Sequence, residues 1–240
     1  MSSQDNIQYI DVAMIAWPNH PDRVQYFRQT MEAIQKHLTA SRHTLRFYCS
    51  AESERDPKHQ WCGHELEQLC NDYDITLVWR DAPANLGANS NHVLAMCSAP
   101  TILYQQADWL LRYPLDLSPG SDFMVENPDV DLLRYSWPED PKMLPTIEDR
   151  GGGWANGGWR QIDINGMWPY GDDPHLRRRD FFWKHGWYFE GGRHGTASGT
   201  MMRWLVKHRA VIAAADKCYY SHFGAVSAVL NDHRKRGVVR

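Results

Sequence analysis

Three arginines in a row, Arg177-Arg178-Arg179, follow an acidic proline turn, Asp172-Asp173-Pro174-His175. Guanidinium groups grip phosphate through paired N–H donors, so Asp173 and the three arginines form a candidate phosphate or acceptor contact; the alternative is a solvated helix start. Asn85-Leu86-Gly87-Ala88-Asn89 leads into a helical stretch. A glycine there lets the backbone approach a ligand, and a helix N-terminus offers free N–H donors. Asp108 stands directly after an apolar strand, in Gln106-Ala107-Asp108-Trp109. Of the eleven tryptophans, seven lie after residue 120, and their flat faces suit either sugar rings or the filling of an irregular lobe. Cys62, His64 and Cys70 lack a second close pair, which favours a plain helix over a zinc site.

The elements that must position these residues follow from hydrophobic periodicity. Ile7 to Ala16 reads as a buried strand. Val24, Phe27, Met31, Ile34 and Leu38 recur at helical spacing behind Pro21, and His43 to Cys49 alternates as a second strand. A helix around His64 to Tyr73, a strand Ile75 to Trp79, a helix from about Asn89 to Ser98 and a strand from Thr101 continue the alternation. Four such β/α steps predict an α/β fold with a doubly wound, mostly parallel, Rossmann-like sheet that binds ligands at the carboxyl ends of its strands. Val130 to Trp137 is a fifth strand, and Glu148 to Gly158 opens a loop-rich lobe; Ser198 to His208 reads as a helix and Ala210 to Ala215 as a strand.

With 42% hydrophobic and 23% charged residues and a formal charge of −3, the 240-residue chain is a globular protein without a global field for nucleic acid or anionic bilayers. No apolar run approaches the roughly 18 residues of a membrane span. Five cysteines form an odd, unpaired set, and the polar start carries no secretory pattern. A cytoplasmic location is expected.

In order along the chain, Ala16-Trp17-Pro18-Asn19, Ser50-Ala51-Glu52-Ser53, Asn85-Leu86-Gly87, Gln106-Ala107-Asp108-Trp109 and Tyr219-Tyr220-Ser221-His222-Phe223-Gly224 resemble segments of GT-A nucleotide-sugar glycosyltransferases, family 2-like members in particular. The resemblance implies a single GT-A-like domain over residues 1–240, with a nucleotide-sugar half (1–110), an acceptor half (111–228) and a basic tail (229–240). It implies donor contacts from Trp17, Asn19, Ser50, Glu52, Asn85, Gly87, Asn89, Gln106 and Asp108. A divalent cation, Mn2+ or Mg2+, would sit on Asp108 and His222; only the last carboxylate of the family's acidic motif survives here. The resemblance further implies a nucleotide-sugar donor, a UDP-sugar by preference, and an inverting transfer to a hydroxyl acceptor.

Inversion calls for a base near the acceptor. The residue aligned with the family's acid falls near Ser198, which leaves Glu190 and His194 as catalytic candidates and Asp172 or Asp173 outside them. The acceptor is a glycan or, given Arg177 to Arg179 and the basic tail, a hydroxymethylated base in DNA. A catalytically inactive GT-A binding module is the reading from another class. A nucleotidyltransferase would need a glycine-rich loop where Trp17-Pro18-Asn19-His20 stands.

Overall fold

The opening apolar run forms β1 (Tyr9–Ala16), followed by α1 (Pro21–His37), which starts with proline and is capped by His20 Nδ1 accepting from the Asp22 amide at 3.2 Å. The chain continues through β2 (Leu38–Thr39), β3 (Thr44–Glu52), α2 (Gln60–Asp72), β4 (Ile75–Arg80), α3 (Leu86–Met96) and β5 (Thr101–Gln106). Then come β6 (Trp109–Leu111), β7 (Leu115–Asp116), α4 (Ser118–Glu126), β8 (Val130–Arg134), β9 (Ala155–Asn156), β10 (Trp159–Gln161) and β11 (His175–Arg178). Last are α5 (Phe181–His185), α6 (Thr196–Lys207), β12 (Val211–Ala215) and β13 (Tyr220–His222). This computed structural model describes residues 8–52, 58–80, 85–136, 155–156, 158–165, 173–190 and 196–222.

Nine strands form one sheet in the order β4-β3-β1-β5-β11-β8-β12-β10-β9, so strands from both halves of the chain share it. The four strands from β4 to β5 are parallel, as the alternating strands and helices predict, and β11 enters antiparallel between β5 and β8. β1 shows why helices cover both faces. Ile10, Val12, Met14 and Ala16 pack in one core with α1, α2 and α4, while Ala13 and Ile15 pack in the other with α3, α5 and α6. Within this apolar strand Asp11 is wholly buried; it accepts the Ser98 and Ala99 amides at 2.6 and 2.7 Å and Arg46 Nε at 2.8 Å, tying the amino ends of β1, β3 and β5 together. Removing one partner of such a buried charge typically costs about 3–5 kcal/mol.

Two sequence expectations need correction. α3 begins at Leu86, ahead of the expected Asn89, because Asn85 caps it by accepting the Ala88 amide at 3.0 Å. The arginine run, expected as a clamp or a helix start, instead ends the central strand β11, which holds Arg177 and Arg178 with Arg179 just beyond it. Its alternation sends Arg177 into the core, where the guanidinium lies 4.9–5.4 Å from the rings of Tyr104, Phe181, Phe182 and Tyr188. Arg177 Nη2 donates to the Tyr188 hydroxyl at 2.7 Å, and Arg177 Nε donates to His175 Nε2 at 3.1 Å. His175 Nδ1 in turn lies 2.6 Å from the Asp173 carbonyl.

That arrangement requires a neutral His175, since Nε2 must accept from Arg177 while Nδ1 donates. Burial first, and the Arg177 charge second, hold the imidazole well below its ordinary value. Below about pH 6.5 the unfolded chain therefore binds a proton that the native state refuses, and stability falls as the pH drops, by up to about 1.4 kcal/mol per pH unit. Urea melts of wild type and His175→Gln at pH 7.5, 6.5 and 5.5 should show the stability difference between the two proteins moving in the variant's favour with acidification; a difference independent of pH would contradict a neutral His175.

Candidate nucleotide-sugar site

The carboxyl ends of the parallel strands lie level, and this alignment gathers the site. Ile15 of β1 is paired with Ser50 of β3 on one side and Gln106 of β5 on the other, and Glu52 is opposite Arg80. The residues that follow therefore emerge along one rim. Trp17 is exposed, Asn19 closes a turn through its amide to the Trp17 carbonyl at 2.9 Å, and Glu52, Gln106 and Asp108 are partly buried. Ser50 and Asn89 lie beneath, fully or nearly buried: Ser50 Oγ is 3.1 Å from His92 Nδ1, and Asn89 Oδ1 is sealed from solvent without a hydrogen-bond partner among the described residues.

Asp108 and His222 meet here from distant parts of the sequence. β13 pairs with β6 so that His222 is opposite Trp109, and the imidazole rests on the indole with ring centroids 4.8 Å apart. His222 Nε2 is then 3.3 Å from Asp108 Oδ2. Arg23, in the first turn of α1, places Nη1 3.1 Å from the same oxygen. Burial alone would raise the Asp108 carboxyl, but hydrogen bonding and charge from His222, followed by the charge of Arg23, outweigh it and hold the group below its usual value.

A carboxylate oxygen and an imidazole nitrogen are donors that suit Mn2+, and Asp108 Oδ1 is sealed from solvent and takes no hydrogen bond from another of the described residues. Among the described residues no third His, Cys, Asp or Glu joins the pair. The two side chains would fit part of a cation shell whose remaining positions would need oxygen ligands from a bound molecule or water.

At the start of α3 the chain contacts itself closely. A Cβ on Gly87 would lie 2.1 Å from the Phe189 carbonyl oxygen, so the space beside Gly87 expected for a nucleotide is taken by the Phe189 carbonyl. Asn85 Nδ2 donates to the Glu190 carbonyl. Asn91 brackets the same segment: its Oδ1 accepts the Tyr188 amide at 2.9 Å, and its Nδ2 donates to the Tyr188 carbonyl at 2.9 Å and to Glu190 Oε1 at 2.8 Å. Glu190 is otherwise exposed and borders a cavity of about 500 Å³ together with Arg80, His92, Trp187 and Tyr188.

Other candidates are placed elsewhere. Buried Asp173 pairs with Arg134 and accepts the Ser136 hydroxyl at 2.7 Å. Arg177 is in the core, while Arg178 and Arg179 donate through Nη1 to the Met124 and Ser98 carbonyls at 2.7 and 3.2 Å. The three arginines thus form no common clamp, because Arg177 is turned into the core away from Arg178 and Arg179, and Asp173 serves a buried ion pair. Asp172 and His194 fall outside the described residues, and Ser198 is on α6. Sequence reasoning missed Arg23 and Asn91. Arg23 carries no motif and is one of several charges on α1. Asn89-Ser90-Asn91 carried a usable signal, because a buried polar run inside a helix must find partners.

Among the described residues no helix is long and apolar enough to cross a membrane. No family model matches the chain, and no curated protein matches its sequence. Solved structures do share its fold. S. aureus TarS 1-349 in complex with UDP-GlcNAc superposes with a TM-score of 0.59 at 12% identity over 89% of this chain and 58% of that one. The mannosyltransferase PcManGT from Pyrobaculum calidifontis, in complex with GDP-Man and Mn2+, gives a TM-score of 0.57 at 12% identity over 86% of this chain and 56% of that one. The chain thus spans less than two thirds of the length of either. At these identities the likeness is one of fold, and the fold is the GT-A glycosyltransferase fold that the ordered sequence motifs resemble.

Proposed function

We propose that the protein is a glycosyltransferase that moves a sugar from a nucleotide-diphosphate donor to a hydroxyl acceptor with inversion. The observation that carries this reading is the convergence of Asp108 and His222 at the carboxyl rim of a GT-A sheet. Solved structures of the same fold hold UDP-GlcNAc or GDP-Man, the latter with Mn2+, which supports a nucleotide-sugar in the corresponding cleft.

In this reading Trp17, Asn19 and Glu52 line the nucleotide end of the rim, and Gln106 and Asp108 face the diphosphate. Asp108 and His222 would hold the divalent cation, which when bound would neutralise the charge gathered by the departing diphosphate. Glu190 is the base: it takes the acceptor proton while the acceptor oxygen bonds to the anomeric carbon and the bond to the diphosphate oxygen breaks with its electron pair. Asn91 fixes Glu190 Oε1 from one side and leaves the carboxylate exposed toward the acceptor. The cavity beside Glu190, walled by Trp187, suits an acceptor glycan, because an indole face and polar groups together match a sugar ring.

Thermal denaturation with UDP-GlcNAc and GDP-Man, each with and without Mn2+, tests the donor. A true donor at about 100 times its dissociation constant adds about 2.7 kcal/mol and raises the melting temperature by about 5–10 °C. Nucleotide release under the same conditions separates an enzyme from a module that binds without turnover. Glu190→Gln should lower kcat by about 10²- to 10⁴-fold while leaving the donor-induced thermal shift intact; near-full transfer by the variant would remove Glu190 as the base.

A further inference from the structure

The carboxylate that would seat a divalent cation already carries a cation of the protein's own. Arg23 Nη1 lies 3.1 Å from Asp108 Oδ2, the oxygen that His222 Nε2 also approaches at 3.3 Å. The backbone around this pairing is fixed. Thr30, two turns along α1, donates its hydroxyl to the Ala107 carbonyl at 2.8 Å, so α1 is fastened to the turn that carries Asp108. The Arg23 side chain is different: about a third of its surface is exposed, against 14% for Asp108, so the guanidinium can leave toward solvent without any shift of the helix. The remaining Asp108 oxygen, Oδ1, is sealed and takes no hydrogen bond from another of the described residues.

These charges set the order in which ligands can enter. While Arg23 stays on Asp108, the single carboxylate is neutralised, and a divalent ion would have to settle beside a guanidinium. A diphosphate changes the balance, because its oxygens are a better partner for a guanidinium than one carboxylate oxygen and they also supply the ligands that Asp108 and His222 lack. We propose that Arg23 is a diphosphate-binding residue that blocks the cation seat in the free protein and yields it only when the donor arrives, so that cation binding depends on the nucleotide. This rests on the donor reading above and adds to it an order of binding, nucleotide with or before cation, and the residue that enforces it.

Mn2+ titrations followed by the loss of the free-ion electron paramagnetic resonance signal test it without any turnover. In the absence of nucleotide, Arg23→Met should bind Mn2+ roughly ten-fold or more tightly than wild type, because a positive charge has been taken from beside the seat. Arg23→Lys, which keeps the charge, should stay near wild type. Adding Asp108→Asn to Arg23→Met should abolish the gain. With saturating UDP or GDP, wild type should gain at least as much Mn2+ affinity as Arg23→Met gained without nucleotide, and Arg23→Met should bind the nucleotide itself several-fold more weakly than wild type by calorimetry. Equal Mn2+ affinity of nucleotide-free wild type and Arg23→Met, or a gain that survives Asp108→Asn, would overturn the role of Arg23. Failure of both UDP and GDP to bind the wild type would instead overturn the donor reading, and the two failures are distinguishable because the first is read in nucleotide-free protein.

Discussion

The unbroken parallel pairing of β1 with β3 and β5 is the constraint on which the rest of this structure depends. With Ile15 level with Ser50 and Gln106, the loops after three strands must open at one height, and any one-residue slip would turn Glu52 or Gln106 to the opposite face. Asp11 secures that pairing from the other end of the strands, where its buried carboxylate accepts two backbone amides of the loop before β5 and a guanidinium of β3. A carboxylate sealed in an apolar strand is tolerated because each of its oxygens is used. The rim gains its order from hydrogen bonding that lies far from it.

A second layer of order comes from α3. The helix lacks a wide apolar face at its start, where Gly87, Asn89, Ser90 and Asn91 are buried in succession. Two of these residues serve the segment that ends in Glu190: Gly87 makes room for the Phe189 carbonyl, and Asn91 satisfies both backbone groups of Tyr188 as well as one carboxylate oxygen of Glu190. Tyr188 is gripped from beneath by Arg177, whose charge is spread among aromatic rings and hydrogen-bonded to a neutral His175. A buried arginine in the central strand thus reaches the exposed carboxylate through Tyr188 and Asn91. The same side chain would have little value at the surface as an isolated charge, and in the core it fixes a loop that carries no regular structure of its own.

The charges at the rim are arranged in the opposite manner. Asp108, Arg23 and His222 come from a turn, the first turn of α1 and the end of β13, and none of the three is fully buried. Their mutual attraction is screened on the solvent side and can be exchanged for contacts with an anionic ligand, whereas the pairing of Asp173 with Arg134 is sealed and cannot. The core ion pair is sealed by packing, and the rim pairs remain open to solvent.

Much of this was legible in the sequence. The apolar run of β1, the stripe of α1 and the alternation of strands and helices determined a parallel α/β sheet, because hydrophobic periodicity is a local property of the chain that burial must obey. The short polar motifs at strand ends were legible as well, and it was their resemblance to GT-A glycosyltransferases, rather than periodicity, that implied a shared site for Asp108 and His222. Three adjacent arginines were misread because a charged residue on a strand looks like surface until the partners that bury it are known; here Tyr104, Phe181, Phe182 and Tyr188 come from three separate segments. Arg23 was silent because nothing in the spacing of a helix says which polar residue faces a carboxylate brought in by a distant turn, and the polar run around Asn91 announced a need for partners without naming them. The sequence by itself determined the elements and their order, through periodicity and turn chemistry. Only the tertiary structure decided which charges are sealed in the core and which stay partly exposed at the rim, because that choice depends on long-range packing and on the local dielectric, and neither is a property of neighbouring residues.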